Sequence, residues 1–350
     1  MKNTNRCCGL DSQSHDTKEI LKQVRNDEVA FFVSEDCAPD IWDNFVEKHP
    51  QGSVFQSRAY FNAHVGRQKT DAIAFFVFAG KGELVAVLVA VLHKSCWGLG
   101  NRTVIQSAPL LKTENPHALA LLLQKYTKKI ANRAVYTQVR NAWETEKNRS
   151  VFIENRFRFE SHLNIIINLE KTLSQLWEEV HTHRRRNIRK AEKSLIFRQL
   201  TVDDFEKSYQ ILQQNYRRYR LPLLQKQIFE KLFIEEKMLI FGVSLNEKLI
   251  GALYALANNS SLYCWYACSF REYNKLYPND LLYWKVISWA QEHGFREFDF
   301  GGAGKPEEKY GVRDFKMQFG GNVTNFGRYV QIHKAIIFNL AKFVFKIFSK

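Results

Sequence analysis

The sequence predicts an α/β protein in which one unit of strands and helices occurs twice. Short apolar segments alternate with amphipathic ones along most of the 350 residues. The order hairpin, strand, helix, strand occurs in both halves at nearly constant offsets, so that Glu83 corresponds to Lys248 and Pro116 to Asn279. From these hairpin positions onward the two copies read ELVAVL and KLIGAL. A duplicated α/β unit is therefore the predicted architecture, and chance similarity is the alternative.

The first unit follows from simple patterns. Nearly continuous apolar runs at 72–79 and 84–92 predict two strands covered on both faces and joined by a hairpin at 80–82. Ser57 is a suitable N-cap, and Pro116 fits the first turn of a helix. The other predicted elements are strands at 28–33 and 134–139 and helices at 39–49, 57–65 and 115–132.

The second unit repeats this order. Residues 239–244 and 249–256 predict a hairpin around a polar turn, and Gly294 provides the end of a helix. Strands are also predicted at 262–267 and 296–300, and helices at 203–220 and 279–293. Between the copies, residues 173–193 have helical spacing, first with an apolar stripe and then with a basic run.

Length and composition limit the class of protein. A chain of 350 residues favours two domains, and a net charge of +15 with a pI of about 9.5 favours an anionic partner. The six cysteines show neither metal-ligand spacing nor a disulfide framework, which indicates a reducing compartment. No signal-peptide core and no run of 18 uncharged apolar residues is present, so we expect neither secretion nor a membrane span.

The basic run is the clearest candidate for anion binding. On a helix, Arg186 and Arg189 share one face with Lys190 and Lys193, and Glu192 is the only acid nearby. Guanidinium groups bind phosphate oxygens in a bidentate way. The run therefore predicts phosphate binding, with a solvated helix face as the alternative. The candidate residues here are Arg185, Arg186 and Arg189, with Arg218 in the next helix.

The candidate chemistry lies between residues 298 and 321. A strand that contains Asp299 ends in a glycine pair, and Lys316 then lies between Phe315 and Phe319 before a second glycine pair. Lys316 is predicted to stabilise charge on a carbonyl or on donor phosphates; a surface lysine is the alternative. Asp299 is predicted to accept a proton or orient an amine, and capping of the glycine turn is the alternative.

Other catalytic chemistries find no support in the sequence. His181 and His183 are two residues apart, on different helix faces, and lack a third ligand, so no metal is expected. No serine nucleophile elbow and no catalytic-cysteine context occurs. A covalent acyl-enzyme is therefore not expected.

These motifs, in this order, resemble the Fem-type family of peptidoglycan cross-bridge aminoacyl ligases and their acyltransferase relatives, including BioF2-like acetyltransferase domains. The resemblance covers roughly residues 30–330. It rests on the FQS motif before Arg58, the basic RRNIRKA segment, the FDFGG strand end and the FKMQFGG run. It implies two tandem N-acetyltransferase-like (GNAT) domains, each a mixed sheet flanked by helices.

The resemblance also implies domain limits and a reaction. Residues 1–27 are expected to be a flexible segment, 28–158 and 159–322 the two GNAT-like domains, and 323–350 a C-terminal strand and helix. The implied reaction transfers an acyl or aminoacyl group to an amine of a phosphate-bearing envelope precursor. Lys316 and Asp299 are the catalytic candidates, while Phe315 and Tyr266 join the four arginines in substrate binding. No permanently bound cofactor is expected, and the donor is aminoacyl-tRNA or acyl-CoA.

The C-terminal segment has the composition of an amphipathic helix. Residues 332–350 are largely apolar with interspersed lysines, so the helix is predicted to pack on the first domain or to lie on an anionic membrane. The expected location is the cytoplasm, at the inner face of the membrane. The alternatives to the Fem-type reaction are acyl-CoA-dependent acetylation of an amino sugar or amino acid, and a non-catalytic basic module that binds RNA or membrane.

Overall fold

The computed structural model describes residues 30–80, 82–95 and 100–348. The predicted N-terminal segment 1–27 lies outside the described residues, as do Cys7, Cys8 and Cys96. In the described part, Cys37, Cys264 and Cys268 are free thiols.

The first sheet is built mostly from the N-terminal half of the chain. Its strands run in the order β1-β2-β3-β4-β6-β15-β7, with β5 paired to β3. The last strand in sequence, β15, thus completes the first sheet rather than the second. The strands are β1 (Phe31–Ser34), β2 (Thr70–Ala79), β3 (Glu83–His93), β4 (Arg102–Gln106), β5 (Leu110–Leu111), β6 (Tyr136–Arg140), β7 (Arg158–Glu160) and β15 (Arg328–Ile332).

The helices of the first unit begin at the residues that the sequence indicates. Ser57 Oγ accepts a hydrogen bond from the Tyr60 amide at 3.2 Å, and Asn115 Oδ1 accepts one from the Ala118 amide at 2.9 Å. Pro116 occupies the first turn, where its missing N–H costs nothing. These helices are α1 (Pro39–Lys48), α2 (Arg58–His64), α3 (Pro116–Ile130) and α4 (Arg149–Glu154).

The second sheet is formed by residues between 164 and 324, in the order β14-β8-β13-β12-β11-β10-β9. Its central hairpin turns at Asn246 and Glu247, which have φ of 46° and 68°. The strands are β8 (Asn164–Asn168), β9 (Ile196–Gln199), β10 (Met238–Leu245), β11 (Lys248–Ala257), β12 (Ser261–Ser269), β13 (Glu297–Gly302) and β14 (Asn322–Thr324).

The predicted duplication is confirmed by the strand pairing. Each sheet is mixed, with one parallel pair next to antiparallel strands: β4 with β6 in the first and β12 with β13 in the second. In each unit a long helix connects the two parallel strands, α3 in the first and α9 (Pro278–Glu292) in the second.

The stretch 173–193 is not one helix, contrary to the sequence pattern. It forms α5 (Leu173–Glu179) and α6 (Thr182–Ala191), separated by the extended residues Val180 and His181. The break is stabilised from outside the stretch, because the His181 amide donates to the Gln318 carbonyl at 2.8 Å. The remaining helices of this unit are α7 (Phe205–Arg218), α8 (Lys226–Ile234) and α10 (Gly311–Met317).

The two units share an apolar core. Trp42, Phe55 and Phe76 of the first unit belong to the same buried cluster as Phe229 and Tyr254 of the second. The cluster holds the two sheets together through contact area rather than through a few polar links. The two units therefore meet at a packed junction.

The C-terminal helix, α11 (Ala335–Phe348), does not dock as its apolar stripe predicts. Ile336, Leu340 and Phe343 are 86%, 62% and 63% exposed. The helix instead contacts the first unit through Phe338, whose ring centroid lies 5.4 Å from that of Tyr136. Within the described residues, no helix combines the length and the apolar character needed to cross a bilayer.

Candidate functional site

Lys316, on helix α10, is a buried cation next to the end of strand β13. It is 8% exposed, and its ammonium group donates to the carbonyl oxygens of Phe300 at 2.7 Å and Gly302 at 2.9 Å. These carbonyls are available because the pairing of β13 with β8 shifts register between Asp299 and Gly302. The alternative of a surface lysine is therefore wrong.

The Lys316 ammonium keeps one donor for a ligand. An ammonium group has three N–H donors, and the two carbonyls use two of them. Within the described residues the third finds no acceptor. Burial lowers the pKa of Lys316, whereas Cys264 and Asp299 act in the opposite direction. The site thus holds a poorly hydrated positive charge with an N–H directed by two fixed hydrogen bonds.

Asp299 lies in β13, one residue before the Phe300 carbonyl that binds Lys316, and its carboxylate caps the glycine turn. Its Oδ1 accepts a hydrogen bond from the Gly301 amide at 2.6 Å, and Gly301 has a φ of 73° that favours glycine. Burial raises the pKa of Asp299 to about 6, against the opposing effects of that hydrogen bond, of the Lys316 charge and of Asn164. The capping role proposed as an alternative is therefore present.

Phe315 forms a wall of the site and is held by a neighbouring guanidinium. Arg184 lies over its ring, 4.3 Å from the centroid, while the ring of Tyr283 lies 5.5 Å away. Arg184 also forms a mostly buried ion pair with Asp280 at 2.8 Å and donates to Gln318 Oε1 at 2.8 Å. Arg184 thus connects α6, α9 and α10, and its charge is already paired.

The basic face of α6 remains open to solvent. Arg186 and Arg189 are exposed and Arg185 is half-buried. Among the residues that the structure describes, none of the three lies within 4.0 Å of a carboxylate. The helix is anchored from its other side, where the Asn187 amide donates to Asp280 at 3.0 Å. The face can therefore bind an anion without first breaking an ion pair.

The other two predicted residues lie in different surroundings. Arg218 is exposed at the end of α7. Tyr266 is half-buried in an aromatic cluster, with its ring 5.1 Å from Phe229 and 5.4 Å from Tyr216. Burial raises the pKa of Tyr266 well above its usual value, so its hydroxyl stays protonated and can donate to a ligand.

Tyr263 is a site residue that the sequence did not reveal. It lies opposite Asp299 in the parallel β12–β13 pair, and a Cβ placed on Gly301 would approach its hydroxyl to 2.9 Å. Its ring also packs edge-on against Phe55 of the first unit, with centroids 5.3 Å apart. A tyrosine in a strand pattern carries no sign of such a role. Only the glycine pair, which predicted a close approach, indicated that something lies there.

The FQS motif has a structural role. Gln56 is fully buried, and its Oε1 accepts a hydrogen bond from the Val89 amide at 2.7 Å while its Nε2 donates to the Gln106 carbonyl at 3.3 Å. The Trp42 indole N–H donates to the Gln56 carbonyl at 2.8 Å. The motif fixes α2 against β3 and β4, near the junction of the two units.

Comparisons with known proteins agree with this geometry. Residues 180–317 match the model of a family described as an acetyltransferase (GNAT) domain. The lipid II:glycine glycyltransferase of Staphylococcus epidermidis (strain RP62A) is 37% identical over 76 residues, which make up 21% of this chain and 18% of that protein. The match thus spans about a fifth of the length of this curated relative.

Two solved structures share the fold over most of their length. The crystal structure of FemX superimposes with a TM-score of 0.69 at 15% identity, covering 88% of this chain and 99% of FemX. A tandem GNAT protein from the clavulanic acid biosynthesis pathway superimposes with a TM-score of 0.54 at 10% identity, covering 87% and 99%.

The chain therefore has the tandem GNAT fold, and residues 180–317 in its second unit match an acetyltransferase (GNAT) domain. The predicted resemblance to the Fem-type family is confirmed by the glycyltransferase relative and by FemX. The predicted enzyme class, an acyltransferase, is confirmed at the level of this domain.

Proposed function

We propose that the protein is a Fem-type N-acyltransferase that transfers an aminoacyl group to an amine of a phosphate-bearing, lipid-linked envelope precursor. The observation that carries the proposal is Lys316, a buried cation whose third N–H has no acceptor among the described residues. The relationship to lipid II:glycine glycyltransferases supports this substrate class.

In the proposed reaction, the amine of the acceptor attacks the carbonyl carbon of the donor ester. The carbonyl oxygen gains negative charge, and the third N–H of Lys316 stabilises it in surroundings of low polarity. The Asp299 carboxylate orients the turn that presents the two carbonyls to Lys316. The amine loses its proton, and the donor oxygen takes up a proton as it leaves as an alcohol. No covalent enzyme intermediate is needed.

The proposed donor is aminoacyl-tRNA, bound in part by the exposed cations of α6. Two features argue against acyl-CoA in the second unit. The segment before α9 is a tight 3₁₀ turn (Arg271–Leu276) followed by Tyr277 with a φ of 58°, not a glycine-rich loop. The α6 face, in contrast, offers several unpaired cations to a polyanion.

The first unit is also poorly suited to coenzyme A. A cavity of about 270 Å³ lies near the ends of its parallel strands and is lined by Glu114, Glu144 and Glu146. The cations nearby are already paired, Lys147 with Glu114 and Arg149 with Glu146, so no free positive charge is available there for the pyrophosphate of the cofactor among the described residues. The end of α3 next to this cavity is already capped by Asn115.

The proposed location is the cytoplasm, at the inner face of the membrane, where a lipid-linked acceptor would be found. The exposed apolar residues of α11 support a peripheral contact, because they form a stripe with lysines nearby in the sequence.

Incubation of the purified protein with charged tRNA or acyl-CoA, each with an amine-bearing precursor, tests the function by mass spectrometry. We expect the acceptor to gain the mass of one aminoacyl residue from charged tRNA. A gain from acyl-CoA alone, together with thermal stabilisation by coenzyme A, would establish the acyl-CoA reaction instead. No transfer from either donor would leave a non-catalytic binding module.

A further inference from the structure

Two arginines lie opposite each other at the ends of two neighbouring strands of the first sheet. Arg140 is the last residue of β6 and Arg328 the first of β15, and the antiparallel pairing makes them direct partners. Direct partners in a sheet point to the same face with their side chains in contact range, so like charges at such positions are destabilising. This repulsion requires compensation by another charge.

Within the described residues, no carboxylate forms an ion pair with either arginine, and only Glu160 favours the charge of Arg328 from a longer distance. Arg140 donates to two neutral amides, Gln138 Oε1 at 2.9 Å and Gln106 Oε1 at 3.5 Å. Neither arginine lies within 4.0 Å of a described carboxylate oxygen, although Glu160 is the register partner of Arg328 on its other side. The Arg328 side chain donates no hydrogen bond to any residue that the structure describes, which leaves most of its five N–H groups for a ligand.

Both arginines are partly buried residues. Burial lowers the pKa of both, and the charge of Arg140 lowers the pKa of Arg328 further, while Arg102 has this effect on Arg140. A half-buried cation pair has a net cost unless an anion enters between the groups.

Arg328 lies next to the Lys316 site. A Cβ placed on Gly302 would lie 3.4 Å from Arg328 Nη2 and 3.0 Å from His162 Cε1. The carbonyl of the same glycine accepts the hydrogen bond from Lys316 at 2.9 Å. Gly302 of the second unit therefore lies between Arg328 of the first unit and the ammonium group of Lys316, and a side chain there would press against Arg328 and His162.

We propose that Arg140 and Arg328 form a binding site for an oxyanion, a phosphate or a carboxylate, which positions the acceptor substrate beside Lys316. Two guanidinium forks on adjacent strands present parallel N–H donors, which match the paired oxygens of either group. An anion bound there would neutralise the repulsion across β6 and β15. The role as an acceptor site rests on the proposed function, whereas the binding of the anion does not.

The test compares Arg140→Gln and Arg328→Gln with a matched control, Arg158→Gln. Arg158 is an exposed arginine on β7 that is paired in register with Val330, two residues after Arg328. Thermal stability is measured with inorganic pyrophosphate, with acetate and with chloride at equal ionic strength. We expect at least one oxyanion to raise the melting temperature of the wild type and of Arg158→Gln, and to lose this effect in both other variants.

The two anions distinguish the sources of the ligand. Stabilisation by pyrophosphate alone assigns the site to a phosphate, stabilisation by acetate alone to a carboxylate, and an effect of both supports the shared chemistry. The proposal would be overturned if neither anion stabilised the wild type, or if Arg140→Gln and Arg328→Gln were stabilised as much as the wild type.

A second measurement excludes a merely structural role. Without any added oxyanion, we expect Arg328→Gln to be at least as stable to urea as the wild type, because the substitution removes the repulsion. A clear loss of stability would mean that the arginine supports the fold, and the site would be rejected.

If acyl transfer is observed, KM and kcat are measured separately in the same variants. We expect KM for the acceptor to rise roughly 10-fold to 100-fold and kcat to change by less than about 3-fold, since the contact is remote from the reacting atoms. A fall in kcat with an unchanged KM would overturn the positioning role. The anion-binding measurements remain decisive even if no transfer occurs.

Discussion

Lys316 carries the proposed chemistry, and its two hydrogen bonds connect that chemistry to the fold. The carbonyls of Phe300 and Gly302 fix the ammonium group, so the remaining N–H is oriented before any ligand binds. The sequence predicted a functional lysine here because aromatic residues flank it. It could not predict the acceptors, because they depend on a register shift in β13 that no local pattern reveals.

The substitution Lys316→Met should lower the rate of acyl transfer by ~100-fold or more, because the developing oxyanion loses the N–H donor of Lys316. It should also reduce the free energy of unfolding by about 1–3 kcal/mol, since two carbonyls lose their partner. Single-turnover transfer and urea unfolding measure the two effects. Lys309→Met, at an exposed lysine in the preceding loop, is the control. Near-normal turnover in folded Lys316→Met would exclude a catalytic role.

Asp299 should make stability depend on pH with a defined sign. Its pKa rises from an ordinary 3.8 to about 6 in the fold, so the folded state binds more protons than the unfolded state between these values. Wild-type stability should therefore fall, relative to Asp299→Asn, as pH rises from about 4 to about 6, by about 3 kcal/mol. Urea unfolding of both proteins across this range checks the difference. Parallel curves would mean that the carboxyl group titrates normally.

At the scale of elements, α6 shows what a sequence pattern can and cannot reveal. The exposed face of Arg186 and Arg189 follows from helical spacing, and the structure has it. The separation of α6 from α5 does not follow, because it depends on a hydrogen bond to Gln318, distant in sequence. The role of Arg184 was hidden for the same reason, since its partner Asp280 lies on α9.

Replacing Arg185, Arg186 and Arg189 together with Gln should weaken donor binding more than it slows the chemical step. The wild-type affinity for tRNA should fall as salt rises, and the variant should show a shallower salt dependence because it makes fewer phosphate contacts. Filter binding over a salt series measures both slopes. Lys125, Lys128 and Lys129 on α3, replaced together with Gln, give a control with the same loss of charge. Equal slopes for all three proteins would make the α6 face an ordinary solvated surface.

The helix α11 should bind anionic membranes through its exposed stripe. Replacement of Ile336, Leu340 and Phe343 with Ser should abolish co-sedimentation with vesicles of anionic lipid, because their apolar side chains would no longer enter the acyl boundary. Binding by the wild type should also decrease with salt. Ile153→Ser, at an exposed isoleucine on α4, controls for general surface hydrophobicity. Unchanged sedimentation of the triple variant, or none by the wild type, would contradict the membrane contact.

For the whole molecule, the duplicated order of elements predicted two related units, and each sheet contains the corresponding parallel pair. The contacts between the units were not predictable. Tyr263 meets Phe55, and Gly302 meets Arg328, only because an apolar core joins the two units. Such contacts follow from tertiary packing, whereas periodicity reports only which face of each element is buried.

The central claim is that the chain transfers an aminoacyl group from tRNA to a lipid-linked amine. The most direct measurement follows a radiolabelled amino acid from charged tRNA to the extracted lipid fraction, with and without ribonuclease treatment of the donor, in the wild type and in Lys316→Met. We predict label in the lipid fraction only with intact donor and wild-type protein. Equal labelling after complete ribonuclease digestion, or by Lys316→Met, or no labelling with any acceptor that carries a free amine, would contradict the account.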